Sequence, residues 1–107
     1  MFVVIVIHDV KPGHLHQARK RIDGNSARIA DQPGLIFRHT GTSDTNQVVT
    51  LTGWRRLEDR SAWDATKRTL AVDVDPREIF DQVRSFTVEV YDERWRPELQ
   101  RAAEGGR

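Results

Sequence analysis

Residues 2–8 read Phe-Val-Val-Ile-Val-Ile-His. Every position before the histidine is apolar and most are β-branched, the pattern of a strand with two apolar faces. Such a strand sits inside a sheet and needs cover on both sides. That requirement weighs heavily on a chain of 107 residues. A chain this short is one domain with one modest core. Only 37% of its residues are apolar, so little of its own chain remains to cover the strand's second face.

The rest of the chain supplies the partners of that strand. Lys11-Pro12-Gly13 stops it with turn chemistry. From Gly13 to Ala30 the period becomes helical: Leu15, Ala18, Ile22 and Ile29 fall near one stripe, and Gly24-Asn25 weakens the second half. Gln32-Pro33-Gly34 closes the helix, and residues 35–40 form a second strand. Its alternation puts Leu35, Phe37 and His39 on one face and Ile36, Arg38 and Thr40 on the other. Residues 41–46 make a polar hairpin loop, and 47–54 a third strand centred on Val48-Val49-Thr50-Leu51-Thr52. A helix is expected over 57–70, with Glu58 and Asp59 near its positive end. Asp75-Pro76-Arg77-Glu78 reads as a helix start: an N-cap, proline at the first position and a glutamate to complete a capping box. The last strand is expected over 85–91. The domain spans residues 1–92, and the charged tail, 93–107, carries a short helix from Pro97 to Ala103.

This order is β-α-β-β-α-β, the split βαβ plan of ferredoxin-like α+β folds. Right-handed crossovers give an antiparallel sheet of order 4-1-3-2 with both helices on one face. The open face then measures about 400 Å², from ordinary strand spacing and rise. An apolar patch of that size marks an interface. A second copy of the chain is the expected cover, forming a symmetric homodimer and a dimeric α+β barrel.

Composition excludes several functions. Seventeen basic and 16 acidic residues leave a net charge of +1, which argues against neutralising many phosphates on a nucleic acid. There is no cysteine, so no disulfide, thiolate metal site or thiol nucleophile. No nucleotide-binding glycine motif is present. The apolar run 2–7 is too short to span a bilayer and lacks the flanks of a signal peptide. A cytoplasmic protein without membrane or nucleic-acid partners is expected. His14 and His16 point about 200° apart on a helix and cannot clamp one ion. His8 and His39 lie roughly 10 Å apart across the predicted sheet. No metal site is expected.

Several residues carry a family likeness. They are the opening strand with Val10-Lys11-Pro12-Gly13, then Gln32-Pro33-Gly34-Leu35, Trp54 at the end of strand three, and Ala62-Trp63 in the following helix. In order and spacing they resemble the antibiotic biosynthesis monooxygenase domain family, over roughly residues 2–92. The resemblance implies a dimeric α+β barrel. It also implies one of several activities: cofactor-independent oxidation of phenols to quinones, haem degradation or, in related barrels, polyketide cyclisation.

Trp63 resembles a tryptophan that lines the ligand cleft of haem-degrading members, nine residues after Trp54 as in those proteins. Those members also carry an asparagine on strand one, where Val6 stands here. They have a histidine about ten residues beyond the second tryptophan, where Asp73 stands here, and no histidine follows His39. Trp54 resembles a tryptophan near the substrate of quinone-forming members. Their asparagine four residues earlier is replaced by Thr50, a hydroxyl instead of an amide.

His8 is the acid–base candidate. It shares a strand face with Phe2, Val4 and Val6, and an imidazole against apolar walls is well placed to take a phenol proton. Asn25 and His39 are further candidate substrate contacts. The plain alternative for each aromatic is core packing, and for each histidine a solvent-satisfied strand end. The expectation is therefore an enzyme without a cofactor, oxidising a small aromatic or quinol-like substrate with dioxygen. His8 would be the base and Trp63, Trp54, Thr50, Asn25 and His39 would contact the substrate. The alternatives are a polyketide cyclase, a haem-handling protein, or a binding dimer without turnover.

Overall fold

The computed structural model describes residues 1–70 and 74–96. Asp73 and the tail helix expected from Pro97 to Ala103 lie outside these residues. Four strands, β1 (Phe2–Val10), β2 (Leu35–Thr42), β3 (Gln47–Trp54) and β4 (Phe80–Glu89), form one antiparallel sheet in the order β2-β3-β1-β4. This is the expected 4-1-3-2 arrangement, with the two-sided strand β1 in the interior. Helices α1 (Leu15–Ile29) and α2 (Leu57–Arg68) complete the ferredoxin-like plan.

The register fixes which side chains share a face. On the helix side, Thr87, Val4, Thr52 and Arg38 stand in one row across the four strands. Four pairs further along the ladder, Val83, His8, Val48 and Thr42 form another. Between α1 and this face the core divides in two. Ala18 and Ile22, from the first half of α1, pack with Val10, Val48, Ile79 and Phe80. Ile29, from its end, packs with Val4, Trp54 and Trp63. Gly24-Asn25 does not break α1. The apolar stripe continues through it, and burial of Ile29 holds the last turns.

Three sequence expectations need correction. First, β2 does not alternate evenly. Leu35 pairs with Trp54 and Phe37 with Gly53, so Ile36 is the extra residue of a bulge. Leu35 therefore packs against the helix-side cluster, while Phe37 and His39 face the other way. Second, Asp75 does cap, accepting from the Arg77 N–H, but only a single 3-10 turn follows, Pro76–Glu78. Third, β4 begins at Phe80, ahead of Ser85. Its polar first half pairs with β1 as far as Val10, and it ends at Glu89.

Gly34 closes the turn into β2 with φ +84°. A Cβ there would sit 2.1 Å from Oδ2 of Asp59, a buried carboxylate at the start of α2. The left-handed backbone costs an L-residue about 1–2 kcal/mol, and the overpacking adds about 1–3 kcal/mol. Gly34→Ala is expected to lower the melting temperature by at least about 10 °C. Gly41→Ala, with nothing within 4 Å of its Cβ and no positive φ, is the control and stays near wild type. Equal melting points for the two would refute this account of the turn.

Candidate functional site

A cavity of about 280 Å³ opens between the sheet and α2. The sheet contributes Val4, Val6, His8, Arg38, Thr52, Trp54, Val83 and Ser85. Helix α2 contributes Arg60, Trp63, Asp64 and Lys67, and α1 its last residue, Ile29. The volume is at the small end of ligand sites. Nearly opposite chemistries meet in it: two indoles and four aliphatic side chains, beside three cations and one carboxylate.

The two tryptophans are held rigidly. Trp54 ends β3 and is 1% exposed; Trp63, on the inward face of α2, is 5% exposed. Each packs in the core cluster with Val4 and Ile29 while also bounding the cavity. The packing role and the wall role are therefore compatible, because a large flat side chain has two faces to spend.

His8 lies on the same face of β1 as Val4 and Val6. Its Nδ1 is 3.1 Å from the carbonyl oxygen of Val48, its direct partner on β3. A carbonyl only accepts, so Nδ1 carries the hydrogen and donates. That fixes the neutral tautomer with its lone pair on Nε2. The Phe80 ring packs against the imidazole at 5.0 Å. Burial lowers the pKa of His8 below its ordinary value; the Val48 hydrogen bond opposes this, and the charges of Arg38, Arg21 and Lys67 add to the lowering. The ring is thus an unprotonated acceptor near neutral pH.

The other three candidates are not brought into this cavity. Thr50 is on the correct face but buried at 2% exposure beneath it. Asn25 is half-buried on α1 and does not line the cavity. His39 projects from the opposite sheet face, stacked on Phe37 at 5.1 Å, because the bulge at Ile36 turns both away from the helices. His39 is therefore withdrawn as a contact in this cavity. His8 and His39 are on opposite faces, and no cluster of three metal-ligating side chains occurs among the described residues.

Sequence reasoning missed the charged lining. Arg60 pairs with Asp64 at 3.3 Å, and Lys67 reaches the same carboxylate at 4.0 Å. Arg38 donates from Nε to Ser26 Oγ (2.7 Å) and from Nη1 to Thr52 Oγ1 (3.0 Å). The available signal was the alternation of β2, which already put Arg38 opposite Phe37.

No protein-family model matches the sequence, and no curated protein matches it. Solved structures do. A Pseudomonas aeruginosa protein superposes with a TM-score of 0.75 at 13% identity, covering 85% of this chain and 94% of its own. A proposed antibiotic biosynthesis monooxygenase from Nitrosomonas europaea gives 0.70 at 18%, covering 84% and 98%. A variant of MhuD, with two manganese protoporphyrin IX molecules bound per active site, gives 0.72 at 17%, covering 89% and 99%. This chain shares their fold. At such identities the likeness carries the architecture and says nothing of the reaction. No helix among the described residues is long and apolar enough to cross a membrane.

Helix α2 carries no histidine, so the haem ligand that the family resemblance places there is absent from it. His8 is the one imidazole lining the cavity, with Nδ1 donating to the Val48 carbonyl and Nε2 left free.

Proposed function

We propose that the cavity is the active site of a cofactor-independent monooxygenase of the antibiotic biosynthesis type, acting on a small aromatic or quinol-like substrate. The observation that carries this proposal is the contact of His8 Nδ1 with the Val48 carbonyl, which leaves the lone pair on Nε2. This imidazole lines a space walled by two indoles.

The substrate ring stacks in the slot between Trp54, Trp63 and the aliphatic side chains. His8 Nε2 takes the phenol proton and becomes imidazolium. The phenolate, unlike the phenol, gives an electron to dioxygen, and the resulting superoxide joins a ring carbon. The imidazolium returns its proton to the new peroxide. Loss of water, with the proton of that ring carbon, leaves a carbonyl. One phenol and one dioxygen thus give one quinone and one water.

The opposite face of the sheet is the expected dimer surface. The open sheet face carries Phe86, Ile5, Leu51 and His39 in one row, with Val88, Val3, Gly53 and Phe37 beside it. Phe86 and Val88 are 50% and 43% exposed in the single chain. A second copy packed face to face covers this surface.

The test is oxygen consumption with a panel of naphthols and hydroquinones, with product analysis by mass spectrometry. One quinone per dioxygen, carrying one labelled oxygen atom from ¹⁸O₂, is the expected result. Absence of uptake across the panel from a folded protein would overturn the oxygenase proposal in favour of cyclisation or binding. A Soret shift on adding haemin, without uptake, would favour haem handling.

A further inference from the structure

We propose that Arg38 is the specificity residue of this cavity, and that the substrate carries a carboxylate at the end remote from its reacting hydroxyl. The proposal rests on the cavity being the substrate site described above.

Among the described residues, Arg38 differs from the other cations of the lining in having no counter-charge. Arg60 and Lys67 share Asp64. Among the described residues no carboxylate forms an ion pair with Arg38. Its two contacts are neutral hydroxyls, Ser26 and Thr52. The side chain is nonetheless half-buried, and burial pushes the guanidinium below the usual arginine range. A cation held out of water without a partner is costly, and removing it to a solvated position would cost the fold little. An arriving anion offsets that cost.

The geometry also selects the anion. A guanidinium has five N–H donors in one plane. Nε–H and one hydrogen of Nη1 are used. Three remain, one on Nη1 and two on Nη2, and the two hydroxyl contacts, from α1 and β3, fix the plane in which they lie. Two parallel donors on neighbouring nitrogens match the two oxygens of a carboxylate.

The sheet register supplies a ruler. Arg38 stands in the row of Val4, and His8 is four residues further along β1. The strands bearing Arg38 and His8 are separated by β3 alone. Ordinary strand rise and spacing put the two backbones about 17 Å apart. The long arginine side chain and the imidazole close much of that gap. The remaining distance suits two fused rings with an acidic group at one end and a hydroxyl at the other. Trp54 and Trp63 would flank the rings between them. A hydroxynaphthoate has this form, and an unsubstituted naphthol lacks one of its two anchors.

The probes are 6-hydroxy-2-naphthoate and its neutral carboxamide, with binding measured by calorimetry at low salt. Wild type is expected to bind the acid about 10- to 100-fold more tightly than the amide, the usual range for a charge-assisted pair. Arg38→Gln is expected to abolish that preference, the acid losing far more affinity than the amide, and Arg38→Lys to keep part of it. Equal affinity of wild type for acid and amide overturns the proposal. So does a preference that survives Arg38→Gln. The wild-type comparison needs no variant, so a poorly folding Arg38→Gln protein does not remove the test. Oxygen uptake is scored separately. Acid preference without uptake sinks the oxygenase reaction and leaves Arg38 as the anchor; uptake without acid preference does the reverse.

Discussion

Oxygen uptake by the His8→Gln protein falls about 10²- to 10⁴-fold below wild type, the usual worth of a positioned general base. Glutamine can still donate to the Val48 carbonyl from its amide, so the β1–β3 contact survives. What is lost is the basic lone pair. His14→Ala is the control, since that exposed-side imidazole bonds only the Pro12 carbonyl. Equal rates for wild type and His8→Gln on a substrate that wild type oxidises would refute the base assignment.

The pH dependence follows from the same residue. The folded pKa of His8 lies below 6.5, with burial the main cause and Arg38, Arg21 and Lys67 as the facing cations. The catalytically useful neutral ring therefore persists below pH 6.5, and the acid limb of kcat/KM lies on that side. Stability has the matching sign. As pH falls below 6.5 the unfolded chain takes the proton before the folded one does, so stability drops until the folded pKa is reached. His8→Gln removes that segment of the stability profile. Parallel unfolding curves for wild type and variant at pH 7.5 and 5 would contradict the burial of His8.

Most of the scaffold that holds this imidazole could be read from local pattern. An unbroken β-branched run places β1 in the interior of the sheet, and β3 declares both its ends. The errors came where a residue's partner lies far along the chain. The bulge at Ile36 exists because Leu35 must reach Trp54 and Trp63 while Phe37 covers Gly53, where a Cβ would lie 2.2 Å from the ring. No local period reports such a demand. The early start of β4 is of the same kind: Asp81, Gln82 and Arg84 look like loop residues, and pairing with β1 makes them strand. The site divides likewise. His8, Trp54 and Trp63 stand out by residue type. Arg38 is one of many arginines until the register shows it beneath the helices without a carboxylate.

A single charge on the open face, Phe86→Glu, is expected to convert a particle of twice 12.3 kDa into one of that mass, read by light scattering. Phe86 is chosen because it is half-exposed in the isolated chain, so a carboxylate there remains solvated and the monomer folds. That side chain stands in the row of Ile5 and Leu51, on the surface that faces the partner sheet in the proposed dimer. Two facing sheets lie about 10 Å apart, which leaves no water for the new charge. Symmetry doubles the penalty, because each protomer brings one carboxylate into the same apolar layer. An unpaired buried charge costs several kcal/mol, enough for about a thousandfold or greater weakening of association. Val83→Glu is the paired control. That residue is 49% exposed but lies on the cavity side of the same strand, so it leaves the particle mass unchanged. A monomeric wild type, or a Phe86→Glu protein that keeps the dimer mass, would show that β1 finds its second cover elsewhere.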